Sequence, residues 1–339
     1  MCGIVGYLGP KAPKDIIISG LKQLEYRGYD SAGVAILHQG SLKRVRAQGK
    51  LTNLEKKLTE EKFDGHIGIG HTRWATHGVP SENNAHPHSV GGVSIVHNGI
   101  IENYMEIRER VLAEGGKIKS ETDSELVAHL LSQEVRETGD LFEAALRVVP
   151  QLEGAYSVLS VWEEKPDQMV AFKNGPPLII GLGKDEVIVA SDIQAIVQYT
   201  KEVIYLDDHE IAYVEGSKCT VFDLKGNQLK KEIVHIDWNR ESAEKQGYSH
   251  FMLKEIYEQP RAVAAALDPH VLRDPYRAEL KDLTFGPQKT PARDVFNNID
   301  RIYIVACGTS YYAGMTGEYF FEKLAHLPVE CELASEFRY

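Results

Sequence analysis

Cys2 stands directly behind Met1 and in front of Gly3. With Met1 removed, it carries both a thiol and a free α-amine. Their ordinary pKa values are about 8.5 and about 7.7–8.0, so the amine can act as base for its own thiol near neutral pH. A small second side chain favours removal of Met1, and Gly3 leaves room for a substrate to reach the sulfur. A small apolar residue opening a buried strand would also explain a lone cysteine here.

Three further groups suit the same chemistry. In His71-Thr72-Arg73-Trp74-Ala75-Thr76-His77-Gly78, an arginine at a strand end fits bidentate capture of a carboxylate, with Trp74 as a bulky cover. A surface Arg–Trp stack would read the same. Asn98-Gly99 follows the strand-like Gly92 to Val96 and offers a side-chain amide beside a backbone N–H, the two donors of an oxyanion hole. Asn-Gly is equally a hairpin turn. Asp123, in Ser120-Glu121-Thr122-Asp123-Ser124-Glu125, can pair with an ammonium, or Thr122 or Asp123 can cap the helix that follows. His71, His77, His86, His88 and His97 crowd one region. They match no helical i,i+4 pair and no HExxH pattern, so no metal is expected.

The elements that must carry these residues are short strands with a few amphipathic helices. Cys2 to Leu8, Ala32 to Leu37, Ile67 to His71 and Tyr156 to Trp162 read as strands; Asp15 to Tyr26, Glu125 to Val135 and Leu141 to Val148 read as helices. Strand and helix do not alternate strictly, which favours sheets stacked between helix layers over a doubly wound parallel sheet. The 339 residues suggest two domains of roughly 150 each. A net charge of −11 argues against a general nucleic-acid or anionic-membrane binder. No apolar run reaches the ~18 residues of a membrane helix. Cys2, Cys219, Cys307 and Cys331 lie far apart without a CxxC pair, which points to a reducing cytosol rather than to disulfides or zinc.

Met1 to Gly6, Glu25-Tyr26-Arg27-Gly28-Tyr29-Asp30-Ser31-Ala32-Gly33, His71 to Gly78, Asn84 to His88 and His97 to Asn103 together resemble the class II, N-terminal-nucleophile glutamine amidotransferases. Lys254-Glu255-Ile256-Tyr257-Glu258-Gln259-Pro260 and Ala306-Cys307-Gly308-Thr309-Ser310-Tyr311 resemble the branch of that family that carries a sugar-isomerase domain. The resemblance runs from residue 2 to 339. It implies an α+β chain: a four-layer α-β-β-α sandwich, then the incomplete start of an α/β isomerase domain. It also implies that Cys2 is the nucleophile, that Asn98 and Gly99 form the oxyanion hole, and that Arg73, Thr76, His77 and Asp123 bind glutamine. Trp74 would gate ammonia, with Arg27 and His86 in support.

The implied domains are 2–237 for the amidotransferase, 238–249 for a linker, and 250–339 for the isomerase start, with its first strand from about 301. Gly308, Thr309 and Ser310 lie between a strand and a helix, where backbone N–H groups can receive a phosphate. The resemblance makes them part of a fructose 6-phosphate site. The implied reaction is glutamine hydrolysis with transfer of ammonia to fructose 6-phosphate, giving glucosamine 6-phosphate and glutamate at the start of amino-sugar synthesis. It implies a cytoplasmic homodimer joined through the isomerase domain, with no metal or organic cofactor. The family's chains run nearly twice as far, so this chain is expected to be a fragment that keeps only glutaminase activity. Another class II amidotransferase, or a non-catalytic sugar-phosphate binding protein, are the rival readings.

Overall fold

The computed structural model describes residues 2–75, 78–236, 248–273, 276–280, 283–286 and 288–337; the side chains of Arg27, Phe251, Arg273 and Tyr276 lie outside that set. The chain divides into two compact units, Met1–Glu244 and Lys245–Tyr339. The expected linker at 238–249 falls mostly outside the described residues.

The first unit contains fifteen described strands: β1 (Gly3–Leu8), β2 (Ser31–His38), β3 (Ser41–Gln48), β4 (Ile67–Arg73), β5 (His88–Val90), β6 (Val93–Ile101), β7 (Gly154–Trp162), β8 (Gln168–Asn174), β9 (Ile179–Leu182), β10 (Val187–Ala190), β11 (Glu202–Tyr205), β12 (Glu210–Glu215), β13 (Lys218–Asp223), β14 (Gln228–Leu229) and β15 (Val234–His235). They form an eight-stranded sheet in the order β15-β11-β9-β10-β1-β4-β2-β3 and a seven-stranded sheet in the order β14-β13-β12-β8-β7-β6-β5.

Among the described residues, five helices flank the sheets: α1 (Pro13–Leu24), α2 (Leu51–Thr59), α3 (Tyr104–Ala113), α4 (Ser124–Thr138) and α5 (Leu141–Val148). The sequence sets their limits. Pro13 sits in the first turn of α1, where its missing N–H costs nothing. The Asp140 carboxylate accepts from the N–H groups of Phe142 and Glu143 at the start of α5. Gly139, at φ 68°, ends α4.

Three apolar clusters separate four layers. Ile17, Leu21 and Leu24 of α1 and Leu54 of α2 pack with Val5, Val34 and Ile188 of the first sheet. Between the sheets, Ile4, Leu8 and Ile69 pack with Val96, Leu159 and Met169. Val127, Leu131 and Ala144 of α4 and α5 cover Val158 and Phe172 on the far side of the second sheet. Every residue of β1 is buried because both faces of its sheet are covered, so it reads as a continuous run, Gly-Ile-Val-Gly-Tyr-Leu, without alternation. The sandwich expected from non-alternating elements is what forms.

In the second unit, a helix spans Phe251–Leu267. The stretch read from sequence as polar connection to Arg293 contains two small hairpins, Val271–Arg273 with Tyr276–Ala278 and Thr284–Phe285 with Thr290–Pro291. The strand Ile302–Ala306 pairs in parallel with Val329–Leu333, and the helix Thr309–Ala325 joins them. The sequence suggests a clean buried strand at 301–306. Instead Tyr303 and Val305 are 47% and 41% exposed. Among the described residues this sheet has two strands, and alternate side chains of Ile302–Ala306 face solvent.

Candidate active site

β1 and β4 run antiparallel with Gly3 opposite Thr72, so the start of one lies against the end of the other. This register sets Cys2 beside Arg73 and Trp74. The Trp74 backbone N–H donates to the Cys2 Sγ at 3.1 Å. Asp30, from the turn before β2, holds the chain after β4. Its N–H donates to the Arg73 carbonyl at 3.0 Å, and its carboxylate accepts from the Ala75 N–H at 2.8 Å. From the second sheet, β6 brings Asn98, whose Nδ2 donates to the Cys2 carbonyl at 3.1 Å. Asp123 precedes α4. Its Oδ2 accepts from the Ile101 N–H at 2.8 Å and its Oδ1 from the Ser124 hydroxyl at 3.3 Å. Cys2, Arg73, Trp74, Gly99, Asp123 and His86 line one cleft with His97, Thr122 and Ser124.

Burial pushes the Cys2 thiol pKa up, while the Trp74 N–H and the Arg73 guanidinium pull it down. A sulfur left protonated in this way needs a base to become a nucleophile. Arg73 is 4% exposed and donates from Nη2 to the Gly78 carbonyl at 3.2 Å. Burial lowers its pKa, opposed first by Cys2 and then by Asp123 and Asp30. A cation, a thiol and a carboxylate thus face one small space.

Four histidines form a buried layer beneath it. His71 stacks on His86 with ring centroids 4.2 Å apart, and His88 meets His86 edge-on at 4.8 Å. Burial drives His71 to about 3 and holds His86 and His88 well below the ordinary range, so these rings are neutral. Their nitrogens serve the scaffold. His86 Nδ1 accepts from the His97 N–H at 3.1 Å; His88 Nε2 lies 3.0 Å from the Thr122 hydroxyl, and His97 Nδ1 lies 2.8 Å from the Ser124 hydroxyl. Among the described residues, no group of three or more His, Cys, Asp or Glu side chains is placed to hold a metal ion.

The structure corrects one local expectation. Asn98 and Gly99 do not follow a strand or make a hairpin turn; they lie inside β6, opposite Ser157 and Tyr156 of β7. Gly99 has φ 122°, and a Cβ there would sit 2.0 Å from the Ala155 carbonyl oxygen, so β6 continues only because the residue is glycine. Asp123 does not cap α4 through its side chain. Trp74 is 44% exposed and meets Tyr29 edge-on at 5.4 Å. Thr76 and His77 lie outside the described residues, as does the side chain of Arg27, the last residue of the 3-10 turn Glu25–Arg27, which the Gly28 N–H closes by donating to the Glu25 carbonyl. Gly308, Thr309 and Ser310 belong to the second unit, exposed at the start of its Thr309–Ala325 helix.

Several residues with no role read from sequence shape the site. Asn84 donates to Glu121 Oε2 at 2.8 Å and to the Val79 carbonyl at 3.0 Å, and accepts from the Glu121 N–H. Arg46 Nη1 donates to the carbonyls of Asn83 and Ala85 at 2.9 and 2.8 Å, fixing the segment that carries His86. Glu125 accepts from the N–H groups of Lys119 and Ser120, shaping the strap before Asp123. Asn84 sits in one of the quoted motifs, so its position at least was signalled.

Residues 71–198 match the glutamine amidotransferase domain. The first unit thus carries a stretch that matches that family. Residues 296–339 match the SIS domain. Glutamine–fructose-6-phosphate aminotransferases (isomerizing) from Clostridium tetani, Aquifex aeolicus and Thermus thermophilus are 47%, 45% and 43% identical over all of this chain. It spans 55%, 55% and 54% of their respective lengths. The amidotransferase sandwich also has solved counterparts. An allosteric regulatory enzyme of purine biosynthesis aligns at TM-score 0.58 and 25% identity, over 67% of this chain and 50% of its own. The glutamine phosphoribosylpyrophosphate amidotransferase of B. subtilis aligns at TM-score 0.58 and 20% identity, over 97% of this chain and 65% of its own; that likeness concerns the fold.

Proposed function

We propose that the first unit hydrolyses glutamine with Cys2 as nucleophile. The observation that carries this is that Cys2, Arg73, Gly99 and Asp123 line one cleft, with the Asn98 amide bonded to the Cys2 carbonyl. After loss of Met1, the Cys2 amine takes the thiol proton, and the sulfur attacks the side-chain carbonyl carbon of glutamine. The oxygen gains charge and is received by Asn98 Nδ2 and the Gly99 N–H. The proton passes from the amine to the leaving nitrogen, ammonia departs, and water cleaves the thioester to glutamate. Arg73 holds the α-carboxylate with help from Thr76 and His77, and Asp123 holds the α-ammonium. Trp74 serves as the gate, with Arg27 and His86 in support.

In the longer protein, the ammonia aminates fructose 6-phosphate to glucosamine 6-phosphate, with Gly308, Thr309 and Ser310 receiving the phosphate. The names of the relatives and the SIS match support this over a phosphoribosyl-transferring rival. The same reading places the amidotransferase domain at 2–237, a linker at 238–249 and the isomerase start at 250–339, in a cytoplasmic homodimer joined through the isomerase half. Among the described residues, no helix is long and apolar enough to cross a membrane. Glutamate release from glutamine tests the proposal: activity lost in Cys2→Ala with the fold retained supports it, and an active Cys2→Ala overturns it.

A further inference from the structure

We propose that His71 is a positioning residue for the oxyanion donor: its Nε2–H, shared between the His97 carbonyl and Asn98 Oδ1, holds the Asn98 carboxamide with its NH2 group turned toward Cys2. The proposal rests on the glutaminase reading above. His71 Nε2 lies 3.0 Å from the His97 carbonyl oxygen, which can only accept. That nitrogen therefore carries the proton. The same nitrogen lies 3.0 Å from the Asn98 side chain, so the atom presented there must also be an acceptor, the amide oxygen. The NH2 group is then left to face the Cys2 carbonyl at 3.1 Å, a second oxygen that can only accept. Two backbone carbonyls, one on each side of the carboxamide, demand the same orientation.

The ring is in turn held firmly. His71 is fully buried and lies nearly parallel to His86, at 14°. Among the described residues, His71 Nδ1 has no hydrogen-bond partner that would favour the other tautomer. His86 grips the His97 N–H while His71 grips the His97 carbonyl, and Asn98 follows directly. Burial keeps His71 neutral, so this donor does not titrate where hydrolysis is measured. Turned the other way, Asn98 would present an oxygen to an oxygen that is gaining charge, and the donor would become a repulsion.

The test compares His71→Gln with His71→Asn in the full chain. A glutamine amide nitrogen reaches the place of Nε2; an asparagine amide stops near that of Nδ1. His71→Asn should lose about 10²–10³-fold in kcat with little change in KM for glutamine, as expected on losing one oxyanion donor, while His71→Gln should recover to within about tenfold of the parent. Equal kcat in the two variants, or an unimpaired His71→Asn, overturns the proposal. Should the asparagine variant not fold, imidazole ¹⁵N shifts of the parent decide: a neutral, Nε2-protonated His71 supports the assignment, and an Nδ1-protonated or charged ring overturns it. Absence of hydrolysis in the parent would instead sink the glutaminase reading, and the nitrogen shifts would still judge His71.

Discussion

The sulfur of Cys2 and the backbone N–H of Trp74 meet at 3.1 Å because β1 begins where β4 ends. That N–H partly offsets the burial that raises the thiol pKa, but the net direction remains upward. The sulfur therefore depends on a nearby base. A chain with an uncleavable residue in front of Cys2 should be folded and inactive, because its amide nitrogen has no basic lone pair. Iodoacetamide should alkylate that chain slowly at neutral pH, and faster only above the ordinary thiol range. Mass spectrometry of the amino terminus beside a glutaminase assay checks this; full activity with Met1 retained would refute it.

Arg73→Lys keeps the charge and loses the planar, two-pronged fit to a carboxylate. Charge-assisted bonds of this kind contribute ~1.5–3 kcal/mol, so KM for glutamine should rise about 10- to 150-fold with a smaller change in kcat. Steady-state kinetics separate the two, and a fall in kcat alone would move Arg73 from the clamp to the chemistry.

Gly99→Ala should impair fold and catalysis together. The backbone at φ 122° and the approach of the Ala155 oxygen leave no space for a methyl group. Relief requires moving the N–H that would receive the oxyanion. Strain on the order of 1–3 kcal/mol in urea unfolding should accompany a large loss of kcat. Normal stability with normal kcat would show that β6 can relax there.

Stability should fall on mild acidification. His71, pushed by burial to about 3 from 6.5, binds its proton more weakly folded than unfolded. Its contribution is complete above about pH 6.5 and is lost as pH falls toward 3. By pH 5 His71 alone removes ~2 kcal/mol, and His86 and His88 act in the same direction. Urea midpoints at pH 7.5, 6 and 5 measure it; an unchanged midpoint would mean that the layer is protonated in the folded chain.

A protein limited to residues 1–339 should turn glutamine into glutamate and free ammonia, and should yield no glucosamine 6-phosphate from fructose 6-phosphate. It spans 55% of its Clostridium tetani relative, and its SIS match covers only residues 296–339. Product analysis by mass spectrometry would reveal any aminated sugar, and finding it would place the isomerase chemistry within these residues.

The layered fold was legible in the sequence because covered strands show as unbroken apolar runs and helices as spaced ones. Leu141–Val148 needed no correction, since Asp140 caps it visibly. The local structure of Asn98-Gly99 was not legible. The dipeptide signals a turn locally, whereas pairing with Ser157 and Tyr156, far along the chain, keeps it in a strand. The histidine layer was invisible for a related reason. Spacing along the chain carries no trace of His71 stacking on His86, which depends on how β4 passes the segment before β5. Ile302–Ala306 looked buried because its residues are apolar, but burial depends on neighbours that composition does not count.

The interleaved strand order bears on how the protein is made. Val5 of β1 pairs with Gly70 on one side and with Ala190 on the other. β1 cannot gain both of its neighbours until β10 has emerged, which at 5–20 residues per second takes ~10–40 s. Throughout that interval β1 has at most one flanking strand. The loss of Met1 that the proposed mechanism requires would have that interval in which to occur, and a slower message would lengthen it.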